Sequence, residues 1–154
     1  MASDAISDLV AARSAQIIET RRFFHGIPEL GFEENETGKA IADRLTAAGL
    51  AVETGIGKTG LVAVLEGAKP GPRLMIRADI DGLPVDELTG LDFASTNGRM
   101  HACGHDGHIT IAVTAAEILA AMKDQLAGTL IFVFQPAEEV VMGALAMIDD
   151  GLFE

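Results

Sequence analysis

The side chains most able to do chemistry crowd into one short stretch. The chain has four histidines and one cysteine, and three of those histidines plus the cysteine fall in MHACGHDGH, Met100 to His108. The spacing Cys103-x-His105 puts a thiolate and an imidazole within reach of one cation. Gly104 and Gly107 let the backbone turn tightly enough for both to converge. A helix is predicted directly afterwards, and its positive end would lower the Cys103 thiol pKa toward the anionic, ligating form. A plainer alternative keeps His101, His105 and His108 as polar residues at a helix entrance and Cys103 as a small core thiol. A third reading pairs Cys103 with His101 or His105 as a nucleophile, which predicts a covalent intermediate and no metal. Nitrogen and sulfur donors packed this closely and flanked by glycines favour the metal.

Two acidic segments offer partners for such a centre. FQPAEE, Phe134 to Glu139, lies at the carboxyl end of a predicted apolar strand, where sheets of this type bind ligands. Adjacent glutamates leave the backbone in different directions, so one can hold a cation while the other stands over the cation's water. The competing reading is that Glu138 and Glu139 only favour a helix N-terminus. In RADIDGLP, Arg77 to Pro84, Asp79 and Asp81 are two apart and share a face if the chain is still extended. A carboxylate there can orient a ligating histidine, or can be a solvated strand end.

The elements that must carry these residues follow from hydropathy and turn signals. An amphipathic helix is predicted over Ser7 to Phe24, then a turn-rich HGIPELGFEE, His25 to Glu34. A second helix has Asn35 as its N-cap, a stripe of Ile41, Leu45 and Ala48, and Gly49 as its C-terminal stop. Strands are predicted at 51–54, 61–66 and 73–80, the last two joined by GAKPGP and read as an antiparallel hairpin. Asp81 to Met100 reads as a long loop, of the kind that in compact domains tends to be functional or disordered. A helix over 108–125, apolar almost all round, reads as buried on more than one side. TLIFVF, 129–134, reads as a strand covered on both faces. A last helix is predicted from Glu139 to Asp150. Helices bracketing strands give an α/β layered fold with a mixed sheet.

Composition narrows the function. In 154 residues the charge is −12 with neutral histidines, which argues against nucleic acid and anionic membrane surfaces as partners. No long apolar run or secretory layout is visible, so a cytoplasmic location is expected. One cysteine cannot close an internal disulfide. Mean hydropathy is +0.31, high for a chain with so much surface to cover.

HGIPELGFEE (25–34), RADIDGLPVDE (77–87), MHACGHDGH (100–108) and QPAEE (135–139), in this order and spacing, resemble the amidohydrolase branch of the M20 metallopeptidase family. That branch includes hippurate hydrolases, N-acyl-amino-acid amidohydrolases and auxin-conjugate hydrolases. The resemblance runs from about Arg21 to Phe153. It implies a three-layer α/β/α zinc-peptidase-like catalytic domain and a cocatalytic two-metal hydrolase that cleaves the amide of an N-acyl amino acid. By the same resemblance Cys103, His105 and Glu139 are metal ligands, Glu138 is the general base, and Asp81 matches an aspartate that supports the ligands. His25, His101 and His108 belong to the motifs without an assigned role. Zinc, manganese, cobalt and nickel are the candidate ions. Where such enzymes usually carry a glycine-rich stretch, this chain has Val140, Val141 and Met142 before Gly143.

Family members are more than twice this length, so residues 1–154 are expected to be the N-terminal part of a catalytic domain. A further histidine-bearing segment and a lid or dimerisation domain would then lie beyond it. The hydropathy surplus then reads as apolar faces made to be covered by later segments. Burial stabilises by about 25 cal/mol per Å2 against a total margin of about 5–15 kcal/mol. Alone, the chain is expected to be marginal or to associate as a homo-oligomer, the alternative being cover from another chain. A non-catalytic, metal- or partner-binding role is the competing functional expectation.

Overall fold

The computed structural model describes residues 2–154, with side chains described from residue 5 onward. The strand that organises the fold is the apolar one. Its even-numbered residues Leu130, Phe132 and Phe134 face a core made with Leu61, Ala63 and Leu65, with Ile76 and Ala78, and with the inner faces of three helices. Strands β1 (Ala51–Ile56), β2 (Gly60–Glu66), β3 (Lys69–Asp79) and β4 (Ala127–Gln135) form one sheet in the order β1-β2-β4-β3. β3 runs parallel to β4, and the other neighbours are antiparallel. The sheet is therefore mixed and the class α/β, as the sequence leads one to expect.

Helices α2 (Ser14–Gly26), α3 (Asn35–Ala47) and α4 (His105–Ala121) supply the core's other wall, with α1 (Ala2–Ala12) outside α2 and α4. Phe24, Ile41, Leu45, Ile109, Val113 and Ala116 are buried there. On the opposite face the short α5 (Gly143–Asp149) lays Met147 near Met75 and Val133. The hydropathy surplus sits partly on the surface: Leu74 is 56% exposed, Ile111 68% and Phe153 67%.

Several local expectations change. The first predicted helix is two helices broken at Arg13, which leaves helical geometry at φ −101° and ψ 5°. Asn35 is the first residue of α3 rather than its cap, because the Glu29 carboxylate takes the N–H groups of Asn35, Glu36 and Thr37. β2 and β3 are not a hairpin: β4 lies between them, as a strand apolar on both faces demands two neighbours. The GAKPGP linker instead crosses the start of β4, where Gly67 and Lys69 donate to Gly128 and Leu126. Gly128 has φ +87°, and a Cβ there would sit 1.9 Å from the Pro72 carbonyl oxygen, so only glycine fits the crossing.

α4 begins at His105, earlier than the predicted 108, and ends at Ala121, followed by a 3-10 turn at Lys123–Gln125. The last helix starts only at Gly143, since Ala137 (φ +50°) and Val141 (φ +59°) adopt left-handed geometry that no helix continues. Asp81 to Met100 forms the expected long loop, closed by a single antiparallel bridge between Leu83 and Met100. Among the described residues no helix is long and apolar enough to cross a membrane.

Candidate metal centre

The carboxyl ends of parallel β3 and β4 stop side by side, with Asp79 opposite Gln135 in register. Asp79 and Asp81 leave one strand and Glu138 and Glu139 the other. Above them α4 opens at Gly104, whose φ of +85° turns the chain so that His105 is the first helical residue. Three segments far apart in sequence thus meet at one edge of the sheet.

His105 is the hub. Its Nδ1 lies 2.9 Å from the Asp81 carbonyl oxygen. A carbonyl can only accept, so Nδ1 carries the proton and Nε2 faces the cluster. Around Nε2 lie Asp79 Oδ1 at 3.6 Å, Glu138 Oε2 at 3.7 Å and Glu139 Oε1 at 3.8 Å. All three distances exceed hydrogen-bond range. Donor atoms of His105, Glu138 and Glu139 lie within 4.8 Å of one another, and so do those of Asp79, His105 and His108.

Asp81 braces both sides of this group. It is fully buried; its Oδ2 accepts the Glu139 N–H at 2.9 Å, and its Oδ1 lies 3.2 Å from His105 Nδ1. Burial pushes the Asp81 pKa up, but hydrogen bonds from His105 and from the Glu139 and Glu138 amides outweigh it, leaving the carboxylate below its usual range. For His105, burial opposes the charged form. Its contact with the Asp81 carboxylate and the charge of Asp79 win, and the imidazole is pushed up to about 9.

The fit of a cation can be judged from what these groups lack. Oε1 of Glu139, on the Nε2 side of His105, is buried without a hydrogen-bond partner. Buried carboxylate oxygens left this way cost free energy unless positive charge compensates them. Imidazole nitrogen with carboxylate oxygen is a donor set that suits zinc and other divalent first-row ions. The residues present fit such an ion.

Cys103 behaves differently from the sequence expectation. The thiol is exposed and faces Glu139; a hydrogen bond to that carboxylate, then partial desolvation and the charges of Glu139, Glu138 and Asp81, push its pKa up. The negative charges of Glu139, Glu138 and Asp81 outweigh the helix end. Cys103 is also outside both donor groups, although it borders one of them.

Sequence reasoning left other residues without a role. His108 stacks on His105 with ring centroids 5.8 Å apart, and its Nδ1 lies 2.6 Å from Asp79 Oδ1, while Arg77 holds Asp79 Oδ2 at 2.8 Å. His25 is clamped between two buried carboxylates, Asp106 at 2.7 Å and Glu87 at 3.0 Å, and Arg21 pairs with Asp106 at 2.9 Å. His101 is buried with neither ring nitrogen hydrogen-bonded, and burial holds its pKa down. For these residues the readable signal is the two-residue spacing of Asp79 and Asp81: Asp81 contacts His105 Nδ1, while Asp79 pairs with His108 and lies 3.6 Å from His105 Nε2.

A mixed α/β sheet here carries an imidazole–carboxylate cluster, a candidate set of cation donors, at the ends of its parallel strands. The chain belongs to peptidase family M20/M25/M40, whose profile matches residues 75–154. It is 45% identical over 148 residues to a probable hydrolase of Synechocystis sp., covering 95% of this chain and 38% of that protein. It is 45% identical over 141 residues to an N-acetyldiaminopimelate deacetylase of Streptococcus pneumoniae, covering 89% of this chain and 37% of that enzyme. A Bacillus subtilis protein described as a dinuclear metal-binding peptidase of the M20 family superposes with a TM-score of 0.87 at 41% identity, covering 94% of this chain and 41% of its own. The chain thus spans well under half the length of these relatives.

Proposed function

We propose that this chain supplies the metal-binding residues of a metal-dependent amidohydrolase acting on N-acyl amino acids. His105, Glu139 and Cys103 are its ligands and Glu138 its general base. One observation carries the division of labour between the glutamates. The Glu139 side chain is 18% exposed and its N–H is fixed by Asp81, whereas Glu138 is 42% exposed. A ligand must be held, and a base must reach water and substrate.

A divalent cation held there supplies Lewis-acid chemistry, polarising the amide carbonyl and acidifying the attacking water. Glu138 takes the water's proton on its carboxylate and delivers it to the leaving nitrogen. Asp81 keeps the His105 tautomer fixed and the Glu139 backbone in place. The S. pneumoniae relative's name, a deacetylase of an N-acetylated amino acid, supports this substrate class.

The test is metal content beside turnover of an N-acetyl amino acid. Glu138→Ala is expected to retain metal and lose turnover, while Glu139→Ala and Cys103→Ser lose metal. Retained turnover in Glu138→Ala overturns the base, and retained metal in Glu139→Ala overturns the ligand. Turnover is read in a protein extended to the length of these relatives, and metal uptake with no amide cleavage there supports the alternative, a metal-binding chain without its own catalysis.

A further inference from the structure

The segment HGIPELGFEE carries two glutamates whose roles are exchanged. Glu34 occupies the N-cap position of α3, yet its side chain makes no capping bond. Capping is done by Glu29, which accepts three N–H groups of the first turn. Glu34 is thereby released, and its carboxyl turns inward to full burial.

There it meets the turn that precedes the glutamate pair. Oε1 accepts the Ala137 N–H at 2.8 Å, and Oε2 accepts the Thr59 hydroxyl at 2.5 Å. Ala137 has φ +50°, a conformation unfavourable for a non-glycine residue that persists only where its surroundings fix it. A fully buried carboxyl is itself costly without partners. Burial pushes the Glu34 pKa up, and the bonds from Thr59 and Ala137 only partly offset this. Gly31 leaves room for the approach, since a Cβ there would lie 3.0 Å from the Ala137 Cα. Beyond Ala137 the turn is closed by Val141 and Met142 donating to Glu138 and Ala137. Two carboxyls from different segments therefore hold this turn, Glu34 at Ala137 and Asp81 at Glu139.

We propose that Glu34 is a positioning residue for Glu138 and Glu139: its carboxyl locks the left-handed Ala137 and so fixes the direction in which both glutamates leave the strand. The proposal rests on reading Glu139 as a ligand, and two independent readouts separate the two claims. The first needs no metal. Amide hydrogen exchange in the metal-free chain is expected to lose protection at Ala137 in Glu34→Leu, with Phe132 in β4 still protected. Glu34→Gln, which can accept from Ala137 and donate to Thr59, is expected to keep protection at both.

The second readout is cobalt affinity. Partners that orient ligands cost about 10- to 100-fold in affinity when removed, so Glu34→Leu is expected to weaken cobalt by that factor and Glu34→Gln to restore it. If Glu34→Leu does not fold, Glu34→Asp, one methylene too short for the Ala137 bond, replaces it. Equal loss of protection at Ala137 and Phe132 overturns the proposal, because Glu34 then only stabilises the fold. Unchanged cobalt affinity in Glu34→Leu beside lost affinity in Glu139→Ala overturns positioning alone. Unchanged affinity in Glu139→Ala, or no cobalt uptake by the unaltered chain, overturns the ligand reading and this proposal with it.

Discussion

Asp81 grips Glu139 by its backbone: the aspartate's Oδ2 accepts the glutamate's N–H at 2.9 Å, while the aspartate's own carbonyl takes the His105 proton at 2.9 Å. One buried residue thereby sets the position of a carboxylate on β4's end and the tautomer of an imidazole on α4.

Replacing the Asp81 side chain is accordingly expected to act first on Glu139, because the main-chain carbonyl that accepts from His105 stays in place. In Asp81→Ala the Glu139 N–H loses its acceptor, at a cost of about 1–3 kcal/mol in denaturant unfolding. Metal affinity by equilibrium dialysis is expected to fall about 10- to 100-fold. Loss of stability with unchanged affinity would show that Asp81 does not orient the ligands.

The parts of this centre legible in the sequence were those carried by local spacing. His105 and the adjacent Glu138 and Glu139, which fall in one donor group, stood out because their neighbours in sequence are neighbours in space, whereas Cys103 lies outside that group. The pairing of Asp79 with His108 spans 29 residues and that of His25 with Asp106 spans 81, distances over which no periodicity speaks. Fold class was readable from alternating elements, but the place of β4 was not. GAKPGP has the turn chemistry of a hairpin, and only the demand of an all-apolar strand for two neighbours reveals the crossing. The thiol pKa went the other way because carboxylates from remote segments surround the helix end.

His105 makes the metal-free chain sensitive to pH. Its folded pKa of about 9 lies above the reference 6.5, so the stabilisation is fully present below pH 6.5 and is lost as pH rises through about 9. The shift corresponds to about 3 kcal/mol at most. Denaturant midpoints measured in chelator should therefore fall between pH 6.5 and pH 9. Metal competes with the same proton, so its affinity is expected to rise over that window. A flat profile in His105→Gln beside a falling one in the unaltered chain attributes the effect to this residue.

Removal of His25 should be severe although it lies outside the proposed ligands. Its ring separates Asp106 and Glu87, whose side chains have no exposed surface. His25→Ala leaves two buried carboxylates facing one another, Asp106 with Arg21 beside it and Glu87 with the Thr89 hydroxyl and the Ser95 N–H. Taking one partner from a buried ionic group costs about 3–5 kcal/mol, which urea unfolding should register. Glu87 behaves oppositely in pH to His105. Burial raises its pKa, but bonds from Thr89, His25 and Ser95 bring it down to about 2. Its contribution is present above the reference 4.5 and is lost as pH falls through about 2.

Cys103 separates a metal hydrolase from a thiol nucleophile. Glu139 and its neighbours hold the exposed thiol protonated above the ordinary cysteine range. The metal-free chain should therefore react with iodoacetamide more slowly at pH 8 than a free cysteine, because only the thiolate attacks. Zinc should slow alkylation further by occupying the sulfur. Cobalt bound to the unaltered chain should show a sulfur-to-metal charge-transfer band that disappears in Cys103→Ser. A nucleophilic cysteine predicts the reverse: rapid alkylation that abolishes amide cleavage, with chelator leaving cleavage intact. The two readings thus differ in sign in the same pair of measurements, and rapid alkylation with chelator-resistant turnover would remove Cys103 from the metal centre.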